Sequence, residues 1–209
     1  MTEGLVLDGV RIRLGGRELV ALDGTVAPGE VLTVMGPSGS GKSTLLSFVA
    51  GFLTGPFSAS GRVLLEGIDI TQAPPEARHV GLLFQDPMLF PHLSVGGNLL
   101  FGMPAGRPDR AVNAAEALAR FGLEGFAGRD PATLSGGQAS RVALLRLLLS
   151  EPRAALLDEP FSKLDRHLRA DIRSFTFERL REAGLPTILV THDAEDAEAA
   201  GGPVVELAL

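Results

Sequence analysis

The segment Gly36-Pro-Ser-Gly-Ser-Gly-Lys42-Ser43 gathers glycines, hydroxyls and a lysine into eight residues. Glycine lets a backbone curl until successive N–H groups point inward at an anion. The segment follows a short apolar run, Val31-Leu-Thr-Val-Met35, and opens a helix-like stretch from Lys42 to about Ala50. Such a helix adds roughly half a positive charge at its N-terminus. Strand, glycine-rich loop and helix in this order are the P-loop pattern and predict binding of a nucleoside triphosphate. Gly36, Pro37, Ser38, Gly39, Ser40, Gly41, Lys42, Ser43 and Thr44 would surround its phosphates. Lys42 would reach the β- and γ-phosphates, and the Ser43 hydroxyl would ligate magnesium. Lysine occurs only at Lys42 and Lys163, every other basic position being arginine. A lysine kept between Gly41 and Ser43 points to a slim ammonium where a planar guanidinium would not fit.

Leu156-Leu157-Asp158-Glu159 is an apolar run ending in two acids. It predicts Asp158 beside the P-loop, holding magnesium through water. Glu159 would face the γ-phosphate and orient or deprotonate the attacking water. A lone Asp-Glu pair more often ends a strand in a solvated turn; a P-loop in the same chain favours the chemical reading. Leu134-Ser135-Gly136-Gly137-Gln138 offers a second phosphate-ready helix end, since Ser135 can cap a helix whose glycines leave its N–H groups bare. Taken alone, the two glycines read more readily as only a tight turn.

Elements must hold these groups. Leu5–Leu14 and Leu19–Val26 read as strands around the Gly15-Gly16 turn. Val63–Leu65 and Val80–Phe84 are further strand candidates, separated by a loop holding Pro74-Pro75. From Asp86 to about Gly128 the pattern is helical and punctuated by glycine, with Arg110–Phe121 its best helix, and Ser135–Ser150 is a second strong helix. Ala154–Leu157, Thr187–Val190 and Val204–Leu207 read as strands, Arg166–Ala183 and Asp193–Ala200 as helices. Alternating strands and helices predict an α/β fold whose sheet is mostly parallel, with an antiparallel portion near the N-terminus.

A chain of 209 residues is long enough for one domain with an inserted lobe. Apolar residues are 45% and charged residues 21% of it, which suits a folded chain and excludes disorder. The net charge of -6 argues against nucleic acid as a partner, because that needs a basic face. Without cysteine there are no disulfides or thiolate metal sites. Met1-Thr-Glu-Gly4 lacks the order of a secretory leader. Val142–Leu149, interrupted by Arg146, is too short to span a bilayer. The expectation is a soluble cytoplasmic protein that reaches any membrane by docking on another chain.

Leu134–Gln138, about twenty residues before Asp158, resembles the signature of the ABC ATPase family. Gln85 after an apolar run, Ser162-Lys-Leu-Asp165 just past the acids, and His192 after the Thr187–Val190 strand fall in the same order as in that family. The resemblance implies a P-loop NTPase cassette with a RecA-like core, a mixed sheet and an inserted helical lobe. Residues 1–85 and 151–209 would form the ATP-binding core and about 86–150 the lobe, in a single domain spanning 1–209 without a C-terminal regulatory domain. It further implies a head-to-tail homodimer enclosing two ATP and Mg2+. Ser135, Gly136, Gly137 and Gln138 would contact the partner's ATP, His192 the γ-phosphate, and Gln85 the magnesium and attacking water. Asp165 would couple the two sites. One position departs: the adenine-stacking aromatic of the family aligns with Leu14, and the chain has no tyrosine or tryptophan. Adenine contact is then expected to be an apolar edge.

Pro75-Glu-Ala-Arg78, Val80–Gln85 and Leu89-Phe-Pro-His-Leu-Ser-Val95 are similar to bacterial importer cassettes of the thiamine, spermidine, sulfate and iron(III) group. The runs Asp130–Gln138, Arg141–Arg146 and Asp158–Ser162 look especially like a short thiamine-transporter-like subgroup. The resemblance implies an ATPase that drives an integral membrane permease, on the inner face of the cell membrane, with an extracytoplasmic solute-binding protein in the same system. Met88, Leu89, Phe90 and Leu93 either meet the permease or belong to the core. An exporter or lipid-handling cassette is the alternative. A non-transport cassette or a small-molecule kinase fits less well.

Overall fold

The structure is a computed structural model that describes residues 4–208. Residues 1–3, on which the reading of the leader depends, lie outside the described residues. The chain divides into two compact units, one of residues 1–82, 153–159 and 177–209, the other of 83–152 and 160–176. Residues 160–176 thus group with the helical unit, although the sequence reading gave 151–209 to the ATP-binding core.

The first unit holds two sheets. β1 (Leu5–Leu14), β2 (Arg17–Val26), β4 (Phe57–Leu65) and β5 (Ile68–Asp69) form an antiparallel sheet in the order β2-β1-β4-β5. The second follows the order β6-β7-β8-β3-β9, built from β3 (Val31–Met35), β6 (Val80–Leu83), β7 (Ala154–Asp158), β8 (Thr187–Val190) and β9 (Val204–Glu206). β7, β8, β3 and β9 pair in parallel. β3, β7 and β8 are apolar and buried on both faces, as strands within a covered parallel sheet must be. The antiparallel portion foreseen in the sequence is therefore a separate sheet.

β4 starts six residues before the expected Val63. Its first half, Phe57-Ser-Ala-Ser-Gly-Arg62, is mostly exposed and has no apolar alternation, so nothing in its composition announces a strand. Main-chain pairing with β1, from Leu14↔Phe57 onward, makes it one. α1 (Lys42–Ala50) buries Leu45, Leu46, Phe48 and Val49 in one cluster with Leu5, Leu7 and Ile12 of β1 and with Val34, Leu156 and Ile188 of the parallel sheet.

A buried arginine ends α1. Arg78 is 5% exposed and donates to the carbonyls of Phe48 and Val49 at 2.9 Å, of Ala73 at 2.8 Å and of Thr71 at 2.5 Å. Burial lowers its pKa from the ordinary arginine value. Five rigid donors let one side chain close the orphan carbonyls of a helix C-terminus while tying in a loop.

In the second unit, α4 (Gly136–Leu149) packs against α2 (Val95–Gly102) and α3 (Arg110–Arg120). α5 (Arg166–Glu182) begins here and ends in the first unit, where α6 (Ala194–Ala200) also lies. Asn98, fully buried on α2, accepts from Phe90 N–H at 2.8 Å and donates to the carbonyls of Phe90, Leu93 and Ser94. Arg146 on α4 donates to the carbonyls of Met88 at 2.9 Å and Pro87 at 3.3 Å. These two side chains shape the irregular segment after Gln85. No helix among the described residues is long and apolar enough to cross a membrane.

Arg78→Met keeps the bulk but strands the carbonyls that Arg78 closes. It is expected to lower unfolding free energy by about 3 kcal/mol in chemical denaturation; a loss below about 0.5 kcal/mol would show water satisfying those carbonyls instead.

Candidate functional site

The glycine-rich loop leaves the end of β3 and enters α1 through Gly41, which has φ 93 and no side chain to cap the helix. The position has no room for one: a Cβ on Gly41 would lie 2.8 Å from Val20 Cγ2. α2, α4 and α6 each have a side-chain cap, from Ser94, Ser135 and Asp193, whereas α3, like α1, has none. The first-turn N–H groups of α1 are thus left to an external anion. Lys42 is 9% exposed, and its ammonium donates to the carbonyls of Gly36 at 2.7 Å and Pro37 at 2.9 Å. Two of three ammonium donors hold the loop's shape, leaving one for a ligand. Ser40 is buried, and its hydroxyl has no hydrogen-bond partner among the described residues.

Parallel pairing brings the acids to this loop. β8 sets Val190 opposite both Val34 of β3 and Asp158 of β7. Asp158 is pushed above the usual carboxylate range chiefly by burial and by its neighbour Glu159, against the pull of a hydrogen bond from Ser43 and the charge of Lys42. A hydroxyl and a half-buried carboxylate in contact are hard oxygen donors, the chemistry magnesium takes from a protein when phosphates supply further ligands.

Glu159 stands in the left-handed region at φ 47, which costs a residue with a Cβ about 1–2 kcal/mol. Its N–H donates to Val190 O at 2.9 Å, fixing the turn. The bend aims its carboxylate at His192, whose Nδ1 lies 3.0 Å from Glu159 Oε1. The His192 side chain is 67% exposed and that of Glu159 19%. A base set beside an open imidazole can hold a water or a proton in transit. Thr191 and Asp196 were missed from the sequence. Thr191 Oγ1 donates to Asp196 Oδ2 at 2.8 Å inside the unit and accepts from Asp193 N–H at 3.1 Å, so the loop carrying His192 is anchored on both sides. The signal available was a threonine ending an apolar strand just before an acidic helix start.

Lys42, Ser43, Asp158, Glu159 and His192 thus lie together in the first unit. Leu14 is in that unit also, 39% exposed at the end of β1. Gln85, Ser135–Gln138 and Asp165 belong to the second unit. Gln85 is exposed, and the next residue, Asp86, accepts from Lys163 at 2.6 Å. Ser135 and Gln138 cap α4 reciprocally: Gln138 N–H donates to Ser135 Oγ at 3.3 Å, and Ser135 N–H to Gln138 Oε1 at 2.9 Å. Because the Ser135 hydroxyl accepts here, its own proton stays available to donate. The two glycines have different reasons. Gly136 is exposed with open space around it, whereas a Cβ on Gly137 would lie 3.1 Å from Lys163 O and 3.7 Å from Asp165 Oδ2. Arg141 is buried and donates to Phe121 O at 2.7 Å; burial lowers its pKa, with Asp165 opposing. Of the four apolar residues expected to meet a partner or the core, Met88 is 63% exposed, while Leu89, Phe90 and Leu93 are half-buried.

Known proteins resemble this arrangement. The model of the ABC transporter family matches residues 19–162. The uncharacterized ABC transporter ATP-binding protein YnjD of Escherichia coli (strain K12) is 48% identical over 200 residues, covering 93% of this chain and 91% of that protein. The thiamine import ATP-binding protein ThiQ of Cereibacter sphaeroides is 48% identical over 197 residues, covering 92% and 83%. The Fe(3+) ions import ATP-binding protein FbpC of Streptomyces coelicolor is 45% identical over 205 residues, and this chain spans 58% of that longer protein. Among solved structures, dimeric MJ0796, a bacterial ABC transporter cassette, superposes with a TM-score of 0.81 at 29% identity, covering 98% of this chain and 94% of that one. A post-hydrolysis state of the same cassette bound to ADP and Pi gives 0.82 at 30% identity, covering 97% and 94%. With its P-loop, its paired acids and these relatives, the chain belongs to the ABC transporter family as an ATP-binding cassette.

Proposed function

We propose that this chain hydrolyses ATP as half of a homodimer and thereby drives a membrane permease that imports a small solute. The observation that carries the reading is the junction of two pairs at the ends of β7 and β8: Ser43 with Asp158, and Glu159 with His192. One pair suits metal and phosphate, the other a water. Gly36–Thr44 hold the phosphates, with Lys42 on the terminal ones and Leu14 toward the base. Ser43 and Asp158 would hold Mg2+, which would neutralise developing phosphate charge. Glu159 orients or deprotonates the attacking water. His192 holds Glu159 and the γ-phosphate in register.

Ser135, Gly136, Gly137 and Gln138 meet the partner's ATP in the dimer. The dimeric state of MJ0796 supports this, as do the open space at Gly136 and the free proton of Ser135. Asp165, packed by Gly137 and facing Arg141, couples the two sites. The import reading rests on relatives named for thiamine and Fe(3+) import. On that reading the chain sits at the cytoplasmic face through its permease, an extracytoplasmic binding protein delivers the solute, and nucleic acid is no partner. The chain is one functional domain built from the two compact units.

Glu159→Gln is expected to keep ATP affinity, to accumulate as a dimer in size-exclusion chromatography with ATP, and to lose at least about 100-fold in turnover. Unchanged turnover would remove Glu159 from the mechanism. Lys42→Ala should weaken ATP by about 1.5–3 kcal/mol in titration calorimetry, since a charge-assisted phosphate contact is lost; wild-type affinity would refute that contact.

Asp158→Asn separates function from stability. The carboxyl's folded pKa lies above its ordinary value, so ionisation weakens the fold, and the loss grows as pH rises through the ordinary pKa to the folded one. At neutral pH the asparagine variant should melt higher than wild type without ligand, yet gain nothing when Mg2+ is added to ATP. A lower melting temperature would show that the Ser43 and Lys42 contacts outweigh burial.

A further inference from the structure

The end of β1 exposes an apolar side chain on a face that elsewhere is core. Ile12 is fully buried; Leu14, two residues on and facing the same way, is 39% exposed. Its cross-strand neighbours are Arg17 on β2 and Phe57 on β4. Directly paired residues share a face, so Arg17, Leu14 and Phe57 stand in one row. Phe57 is half-buried and packs on the core behind Leu14. Arg17 is exposed, and its guanidinium has no side-chain partner among the described residues. The hairpin's nearest carboxylate, Glu18, is engaged on the opposite face by Arg13 at 3.6 Å.

The row also borders the phosphate loop. Ile12 pairs with Val20, and Val20 with Leu19 forms the wall against which Gly41 rests: a Cβ there would lie 2.8 Å from Val20 Cγ2 and 3.3 Å from Leu19 Cβ. One strand repeat, about 7 Å, carries β1 from that wall to Leu14. A ribose covers such a span. Phosphates lying along Gly36–Ser43 therefore leave the base within reach of this row.

We propose that Arg17 is a base-stacking residue, its guanidinium lying against the nucleobase while Leu14, backed by Phe57, forms an apolar floor. The inference rests on the triphosphate reading of Gly36–Ser43 and deepens it. A guanidinium is planar, delocalised and weakly hydrated, so it stacks on a π-face as leucine does not. Every base has such a face, so the contact is indifferent to base identity. Adenine and guanine nucleotides use it alike.

The test is calorimetric titration of the full chain with ATP, GTP and inorganic tripolyphosphate. Arg17→Ala should weaken ATP and GTP alike, by about three- to tenfold, while tripolyphosphate changes by less than about twofold. The variant should melt with wild type, because the side chain is exposed and unpartnered. Equal loss for tripolyphosphate would place the charge on the phosphates and overturn the proposal, as would unchanged ATP affinity. Arg17→Lys keeps the charge without the plane and should restore only a minor part of the loss; full recovery would overturn stacking. If wild type binds tripolyphosphate and nucleotides equally, the row is no base site although the triphosphate reading stands. If it binds none of them, both fall.

Discussion

Main-chain pairing of β8 with β3 on one side and β7 on the other is the constraint from which the site follows. It sets Val190 opposite Val34 and Asp158 together, so the strand that feeds the glycine-rich loop, the strand that ends in two acids and the strand before His192 all finish at one level. Helix and loop can then be short. Ser43 reaches Asp158 from the first turn of α1, and Glu159 reaches His192 across a single turn pinned to Val190 O. A shift of register by one residue would turn every side chain of a strand to its other face.

The same site carries unfavourable terms. Glu159 sits at positive φ, Asp158 is charged where burial opposes charge, and the buried Ser40 hydroxyl lacks a partner. The strained backbone and the orphan hydroxyl each cost of order 1–3 kcal/mol, and all three features persist only where their surroundings over-determine them. Those surroundings are the fully buried Leu156, Ile188 and Val190 with the apolar face of α1. The strained Glu159 and the orphan Ser40 hydroxyl, together at one end of the parallel sheet, fit a surface kept ready for a charged ligand.

Arginine does the structural joining elsewhere. Arg78, Arg141 and Arg146 each bond backbone carbonyls rather than carboxylates, and burial lowers the pKa of all three. A guanidinium closes several carbonyls at once with five donors in a fixed planar fork, where an ammonium has only three on a rotating head. This fits a chain with only two lysines, one of them in the phosphate loop.

Much was legible in the sequence because it rests on local geometry. The glycine spacing from Gly36 to Gly41 needs no distant contact to be recognised, and Ser135 with Gln138 forms the capping box its own spacing dictates. Apolar runs marked β3, β7 and β8, since strands buried on both faces leave no polar side to alternate. Tertiary structure alone decided the rest. The outer half of β4 is a strand because β1 offers it main-chain partners, not because of its own residues. Thr191 and Asp196 anchor the His192 loop through a contact that only α6 packing creates. Segment 160–176 groups with the helical unit despite following β7 directly. Arg17 stands beside Leu14 only through strand register. Local spacing fixes which groups can meet a phosphate, but which side chains share a face depends on pairing between segments far apart in the chain.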